Sequence, residues 1–176
     1  MQHDGQSDAL MAFYREGGAD DAGRRWEEIV AWPDERLEAM HDFIQWLFPL
    51  PERSGANPWA PTLSAATIAA FHASPEMRQR LRESFLRMLR FYGLEWASDG
   101  QVRRAEYFAA TADNWLWPEN HNYLRLTRIL RSLALLGLER ESAALFRALS
   151  GIRRDFPGRI TPRTFTFWSE AAAAIP

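Results

Sequence analysis

The stretch from Asn114 to Gly137, NWLWPENHNYLRLTRILRSLALLG, constrains this chain more than any other. Pro118 suits a first helical position, because its missing N–H would find no intrahelical partner there. Gly137 can take the left-handed conformation that closes a helix. At about 100° per residue, Leu126, Ile129, Leu130, Leu133 and Leu136 share one apolar face, and Leu124 and Leu135 form a second strip nearly opposite. A helix apolar on two sides is a buried one, so the rest of the chain is expected to pack around residues 118–136. Between the strips runs a polar line of His121, Arg125, Arg128 and Ser132. It reads as a snorkelling edge, as a set of ion pairs with acids elsewhere, or as the cationic wall of a groove that receives a carboxylate. Long charged side chains are rarely buried without a partner, which favours the structural readings, with residues 1–42 as the source of acids.

The charge distribution supports that source. The net charge of −2 hides an asymmetry: residues 1–42 hold eleven acids against four arginines, and residues 43–176 hold twelve acids against seventeen. The simplest expectation is an acidic N-terminal arm on a basic body. The small net charge argues against general polyanion binding. There is no cysteine and no lysine; all 21 basic residues are arginine. Disulfides, thiol catalysis, Schiff bases and phosphate-binding lysines are therefore excluded. With 176 residues, 47% hydrophobic, the chain suits one globular domain with a sizeable core. Eight tryptophans make that core, or a groove in it, unusually aromatic.

Along the chain, residues 1–8 read as a disordered polar tail and residues 9–174 as the domain. Helices are expected over Ala9–Glu16 (ended by Gly17 and Gly18), Arg24–Ala31, and Pro33 to Leu47 with a core face of Leu37, Met40, Ile44 and Leu47. Phe48–Pro61, with four prolines and a glycine, is an irregular loop pinned by its aromatic residues. Thr62 caps a short helix to Phe71. Ser74-Pro75-Glu76 opens a long helix that closes at Gly93, with Met77, Leu81, Phe85, Met88 and Tyr92 inside. A turn at Ser98-Asp99-Gly100 precedes a helix from Val102 to Ala112. A helix from Leu138 ends at Gly151, and Thr161-Pro162 caps the last one, through Ala174. No alternating strand pattern of useful length is present. The expected fold class is all-α, with seven to nine helices.

Catalytic signatures are lacking. His41, His72 and His121 stand far apart without metal-ligand spacing, so no metal and no cofactor is expected. There is no nucleophile elbow and no glycine-rich phosphate loop before a helix. Thr62–Phe71 followed by a helix bearing Arg78, Arg80 and Arg82 imitates a helix-turn-helix, but the second helix is long, and its turn lacks glycine. That leaves a binding site built from aromatic walls and an arginine: Trp46, Trp59, Trp115, Trp117, His121, Arg125 and Arg128. Any one of those tryptophans is as readily explained by core packing.

Several segments together resemble the conserved N-terminal region of the opioid growth factor receptor family: FYRE (Phe13–Glu16), HDFIQWLFPL (His41–Leu50), NPWAPTL (Asn57–Leu63), MLRFYGL (Met88–Leu94) and NHNYLRLTRILRSLALLGLE (Asn120–Glu139). The resemblance runs from about Phe13 to Phe167, with the IQWLFP and LRLTRIL elements its most specific parts. It implies a receptor-like, non-enzymatic peptide- or protein-binding module. The vertebrate member is described as an intracellular, nucleus-associated receptor for Met-enkephalin. This chain lacks the long acidic, repetitive C-terminal part and a lysine-rich nuclear signal, which leads to the expectation of a short bacterial member with an unknown peptide or protein ligand. The alternative functions are an enzyme with a polar site around His121, Arg125 and Arg128, and a nucleic-acid binder. With no signal peptide, no spanning segment and no cysteine, a cytoplasmic location is expected, and any membrane contact would be peripheral.

Overall fold

This computed structural model describes residues 2–15 and 17–174, with side chains from residue 8 on. Among the described residues there are ten helices: α1 (Gln2–Arg15), α2 (Trp26–Val30), α3 (Asp34–Ala39), α4 (Ile44–Leu47), α5 (Ala65–Ala73), α6 (Pro75–Phe91), α7 (Phe108–Trp115), α8 (Asn122–Leu135), α9 (Glu139–Asp155) and α10 (Pro162–Ala172). Two short strands, β1 (Leu94–Trp96) and β2 (Val102–Arg104), form an antiparallel hairpin after α6. The all-α class expected from the sequence is the observed one, apart from this hairpin. No described helix is long and apolar enough to cross a membrane. The chain divides into two compact units, Met1–Ser84 and Phe85–Pro176, with the boundary inside α6.

In the N-terminal unit, Leu10, Phe13, Tyr14, Ile29, Leu37, Phe43, Leu47, Phe48 and Phe71 are fully buried. Tyr14 packs edge-on against Phe71 and donates its hydroxyl to the Leu47 carbonyl at 2.6 Å. Helix α1 runs back to Gln2, through the stretch read as a tail. The helix expected from Pro33 to Leu47 is two helices, because Met40 takes an extended conformation and ends α3. Its neighbours serve other contacts: Asp42 pairs with Arg24, and the His41 carbonyl accepts from Gln45 Nε2. Ser64, not Thr62, caps α5, accepting from the Thr67 N–H at 3.1 Å.

In the C-terminal unit, α8 packs against α9 and α10. Its expected face is fully inside: Leu126, Ile129, Leu130, Leu133 and Leu136 are buried. The second strip is corrected in part, since Leu135 is buried but Leu124 is 74% exposed. Helix α8 also starts four residues later than Pro118 implies. Glu119 sits at φ 64°, a left-handed conformation incompatible with helix, and the Asn120 side chain closes the turn instead. Asn120 Oδ1 accepts from the Asn122 N–H at 2.8 Å, and Asn120 Nδ2 donates to the Asn114 carbonyl at 3.1 Å. Gly137 does end the helix, at φ 86°, with the Leu138 N–H reaching the Leu133 carbonyl at 2.9 Å.

The hairpin replaces the start of the helix expected from Val102. Three-residue strands are too short to show a period of two. Gly93 makes the hairpin approach α7: at φ 71° it brings its Cα against Thr111 and Phe108, where a Cβ would collide. Helix α9 continues through Gly151, which has no positive φ, to Asp155. The buried stripe of Leu145, Leu149 and Ile152 carries it past the expected stop.

One buried phenol in each unit, Tyr14 and Tyr123, is raised in pKa. Burial pushes the Tyr14 hydroxyl far above the usual tyrosine range, and pushes Tyr123 up to about 12 against a smaller opposing effect of Arg159. Both stay protonated in the folded chain where an unfolded chain ionises, near pH 10. Their contribution to stability is therefore complete below pH 10 and falls as pH rises toward about 12. Urea unfolding across this range should show the decline, and Tyr14→Phe should flatten it.

Candidate functional site

The residues proposed from sequence fall in both units. In the C-terminal unit, Trp115 is 1% exposed and donates Nε1 to the Tyr92 carbonyl at 3.2 Å. Its ring meets Tyr92, Phe108 and Tyr123 edge-on, so it is core material. Arg125 is 4% exposed, and its guanidinium donates to Asn122 Oδ1 at 3.3 Å, an acceptor placed 3.4 Å from the Tyr92 hydroxyl. His121 is half-buried, with Nε2 3.4 Å from Asn122 Nδ2. Arg128 is half-buried, and Trp117 stands partly in water. Of the polar line, Arg125 and Ser132 are buried, and His121 and Arg128 are half-buried. An arginine at this depth is not the open cationic wall that a carboxylate groove requires.

The N-terminal unit carries a different arrangement. Trp46 and Trp59 line one concavity of about 270 Å³ with Ala9, Ala19, Asp20, Asp21 and Pro61. Trp46 is buried and donates Nε1 to Asp21 Oδ1 at 2.9 Å. Trp59 is 80% exposed. A tryptophan so placed leaves most of a large apolar ring in water, and exposed aromatic rings beside a concavity are common docking points.

Local sequence explains how the acids arrive there. In ADDAGRR, residues 19–25, Asp20 Oδ1 accepts from the backbone N–H of Ala22 and of Arg24, folding the segment into a tight turn. Gly23 supplies the φ of 79° that the turn needs. Arg24 then bridges Asp20 at 2.6 Å and Asp42 at 2.9 Å. Burial alone would depress the Arg24 guanidinium, but its hydrogen bonds to Asp42 and Asp20 outweigh that and keep it firmly protonated. Asp21, the next residue, is exposed and receives only neutral donors, Trp46 Nε1 and Asn57 Nδ2. Two carboxylates therefore share one guanidinium, and among the described residues no cation is paired with Asp21.

Asn57 holds the loop side. Its buried amide donates to Asp21 Oδ2 at 3.0 Å and to the Asp42 carbonyl at 3.1 Å. Its Oδ1 accepts from the N–H groups of Trp59 and Ala60 at 3.1 and 3.2 Å. Every hydrogen-bonding capacity of that amide is used to fix Pro58 and Trp59 beside Asp21. Sequence reasoning named the two tryptophans but missed Asp20, Asp21 and Asn57. The available signals were the Asp-Asp-Ala-Gly turn and the Asn-Pro-Trp triplet.

The helix-turn-helix reading loses its basic face. Arg78 donates to the carbonyls of Phe71 and His72 at the end of α5, and Arg80 pairs with Glu27 at 3.1 Å while lying over the Trp26 ring. Two of the three arginines meant for a phosphate backbone are engaged within the unit. Among the described residues no three His, Asp or Glu side chains group to hold a metal.

Residues 20–151 match the family described as Opioid growth factor receptor (OGFr) conserved region. The human Opioid growth factor receptor is 42% identical over 140 residues, covering 75% of this chain and 20% of that protein. The mouse protein of the same name is 46% identical over 126 residues, 69% of this chain and 20% of its own length. Opioid growth factor receptor-like protein 1 of Xenopus tropicalis is 42% identical over 106 residues, 60% of this chain and 20% of its own. The chain thus spans about a fifth of the length of the curated relatives it matches. No solved structure matches it.

Replacing Asn57 by Ala should remove one of the two donors to the Asp21 carboxylate, the amide donor to the Asp42 carbonyl, and the side-chain acceptor of the Trp59 and Ala60 N–H groups. Thermal and urea unfolding should then show a loss of about 2 kcal/mol, with faster amide exchange at Trp59 and Ala60.

Proposed function

Because this chain belongs to the opioid growth factor receptor conserved-region family, we propose that it is a receptor-like, non-enzymatic module that binds a peptide or protein segment on Trp59 and the adjoining acidic concavity. The observation that carries the reading is the placing of an exposed Trp59, its backbone N–H held by Asn57, beside an Asp21 carboxylate that has no cationic partner among the described residues. An indole face attracts a cation, and a carboxylate beside it supplies charge-assisted hydrogen bonds. The segment that fits is basic. This reverses the polarity expected from Arg125, whose guanidinium lies inside the C-terminal unit. The name of the vertebrate relatives supports a receptor role in general terms, while their greater length leaves the rest of their activity outside this chain.

The test is calorimetric titration of the chain with an acetylated, amidated peptide of alternating arginine and alanine, and with its glutamate counterpart. The arginine peptide should bind saturably and the glutamate peptide should not. Trp59→Ala should weaken binding by roughly tenfold or more without changing unfolding, since the ring is exposed. Met-enkephalin, which as a free pentapeptide ends in one ammonium and one carboxylate, should not bind tightly. Preference for the glutamate peptide, or unchanged affinity in Trp59→Ala, would contradict the proposal.

A further inference from the structure

We infer that the C-terminal unit carries an anion site for a phosphate group, in a concavity of about 360 Å³ where β2 faces the last turns of α9. It is lined by Gly151 and Ala148, about one helical turn apart, and by Arg103, Arg104 and Arg154. Asp155 is the one acid in the lining.

The glycine is the telling residue. Gly151 lies inside α9 with ordinary helical backbone, so it neither caps the helix nor serves a left-handed turn. A Cβ there would meet only the Arg154 guanidinium, at a comfortable 3.8 Å. Alanine would fit and would favour the helix, because glycine is a poor helix former. Neither backbone conformation nor packing within the unit explains its presence. Its effect is to keep the concavity open there, so that a ligand can approach the helix backbone closely.

The lining arginines supply the matching charge. Arg104 reaches the concavity held by Asp155 at 2.7 Å, and Arg103 is held by Asp99 at 2.5 Å on the exposed hairpin. Arg154 is 3.7 Å from Asp155, with its side chain 81% exposed. Exposed ion pairs of this kind are weak and exchange readily for a better acceptor. A phosphate offers three oxygens in the geometry that guanidinium forks grip two at a time. The unit as a whole favours an anion, with thirteen arginines against nine acids in residues 85–176. The concavity has room for a phosphate with an attached organic group.

Calorimetric titration of the full chain with inorganic pyrophosphate tests the site. One saturable site is expected. Gly151→Leu, which fills the concavity at that point with a good helix former, and Arg154→Gln, at an exposed side chain, should each weaken it at least roughly tenfold, with far-UV circular dichroism unchanged. Asp155→Asn should tighten it. Flotation with phosphatidylcholine vesicles containing phosphatidylinositol bisphosphate separates the two sources of the group. Flotation competed by pyrophosphate assigns a lipid headgroup, and no flotation alongside pyrophosphate binding assigns a soluble phosphate ligand. Should Gly151→Leu lose its fold, Arg154→Gln alone decides the case. No saturable heat up to about 10 mM pyrophosphate, or wild-type affinity in the folded variants, overturns the assignment.

Discussion

The buried amide of Asn57 is the constraint on which the functional surface depends. Pro58 and its neighbours cannot enter a helix, so the loop has no ladder of backbone bonds to set its position. At the Trp59 end the Asn57 side chain does that work by reaching the Asp21 carboxylate and the Asp42 carbonyl on one side and two loop N–H groups on the other. Asp21 is in turn fixed by the turn that Asp20 makes, and Asp42 by the break in helix after Met40. Without that break, Asp42 would lie on a helix face rather than against Arg24. The irregular backbone of this unit is therefore the scaffold of its charged surface.

The same network explains why Trp59 stays in water. Burying such a ring would stabilise the fold by on the order of 2–3 kcal/mol. The Asn57 side chain instead holds the Trp59 backbone N–H, and the ring stays exposed. Trp46, from the same aromatic set, is folded inward and donates to the same carboxylate. One tryptophan thus positions the acid and the other is presented beside it. In the C-terminal unit the tryptophans are used differently. Trp115 and Trp168 are buried, and each donates its indole N–H to a backbone carbonyl, of Tyr92 and Tyr123 respectively.

Much of the helical framework was legible in the sequence because caps and buried stripes are local signals. Ser74 and Pro75 open α6, Thr161 and Pro162 open α10, and Gly137 closes α8 as their chemistry requires. The errors fall where a further contact overrides a local preference. Met40 breaks a good helical pattern next to Asp42, which pairs with Arg24; the start of α8 moves from Pro118 to Asn122 for a local reason, the turn that the Asn120 side chain closes. Gly151 had the look of a stop signal, but the Leu149 and Ile152 stripe continues the helix across it. At the candidate site, composition identified aromatic residues but not their exposure. Trp46, Trp59 and Trp115 look alike in sequence, and only the fold separates a ring in the core from one in water. The acids were hidden for a related reason: Asp21 gains its meaning from Asn57, which lies far along the chain.

The central claim is that ligand is met on Trp59 beside Asp21. Indole N–H resonances in a proton–nitrogen correlation spectrum report on each of the eight tryptophans separately. Adding the arginine–alanine peptide should shift the Trp59 and Trp46 signals together and leave the buried Trp115 and Trp168 signals in place. Shifts confined to Trp117, with Trp59 and Trp46 unmoved, would contradict the account and return the search to the C-terminal unit.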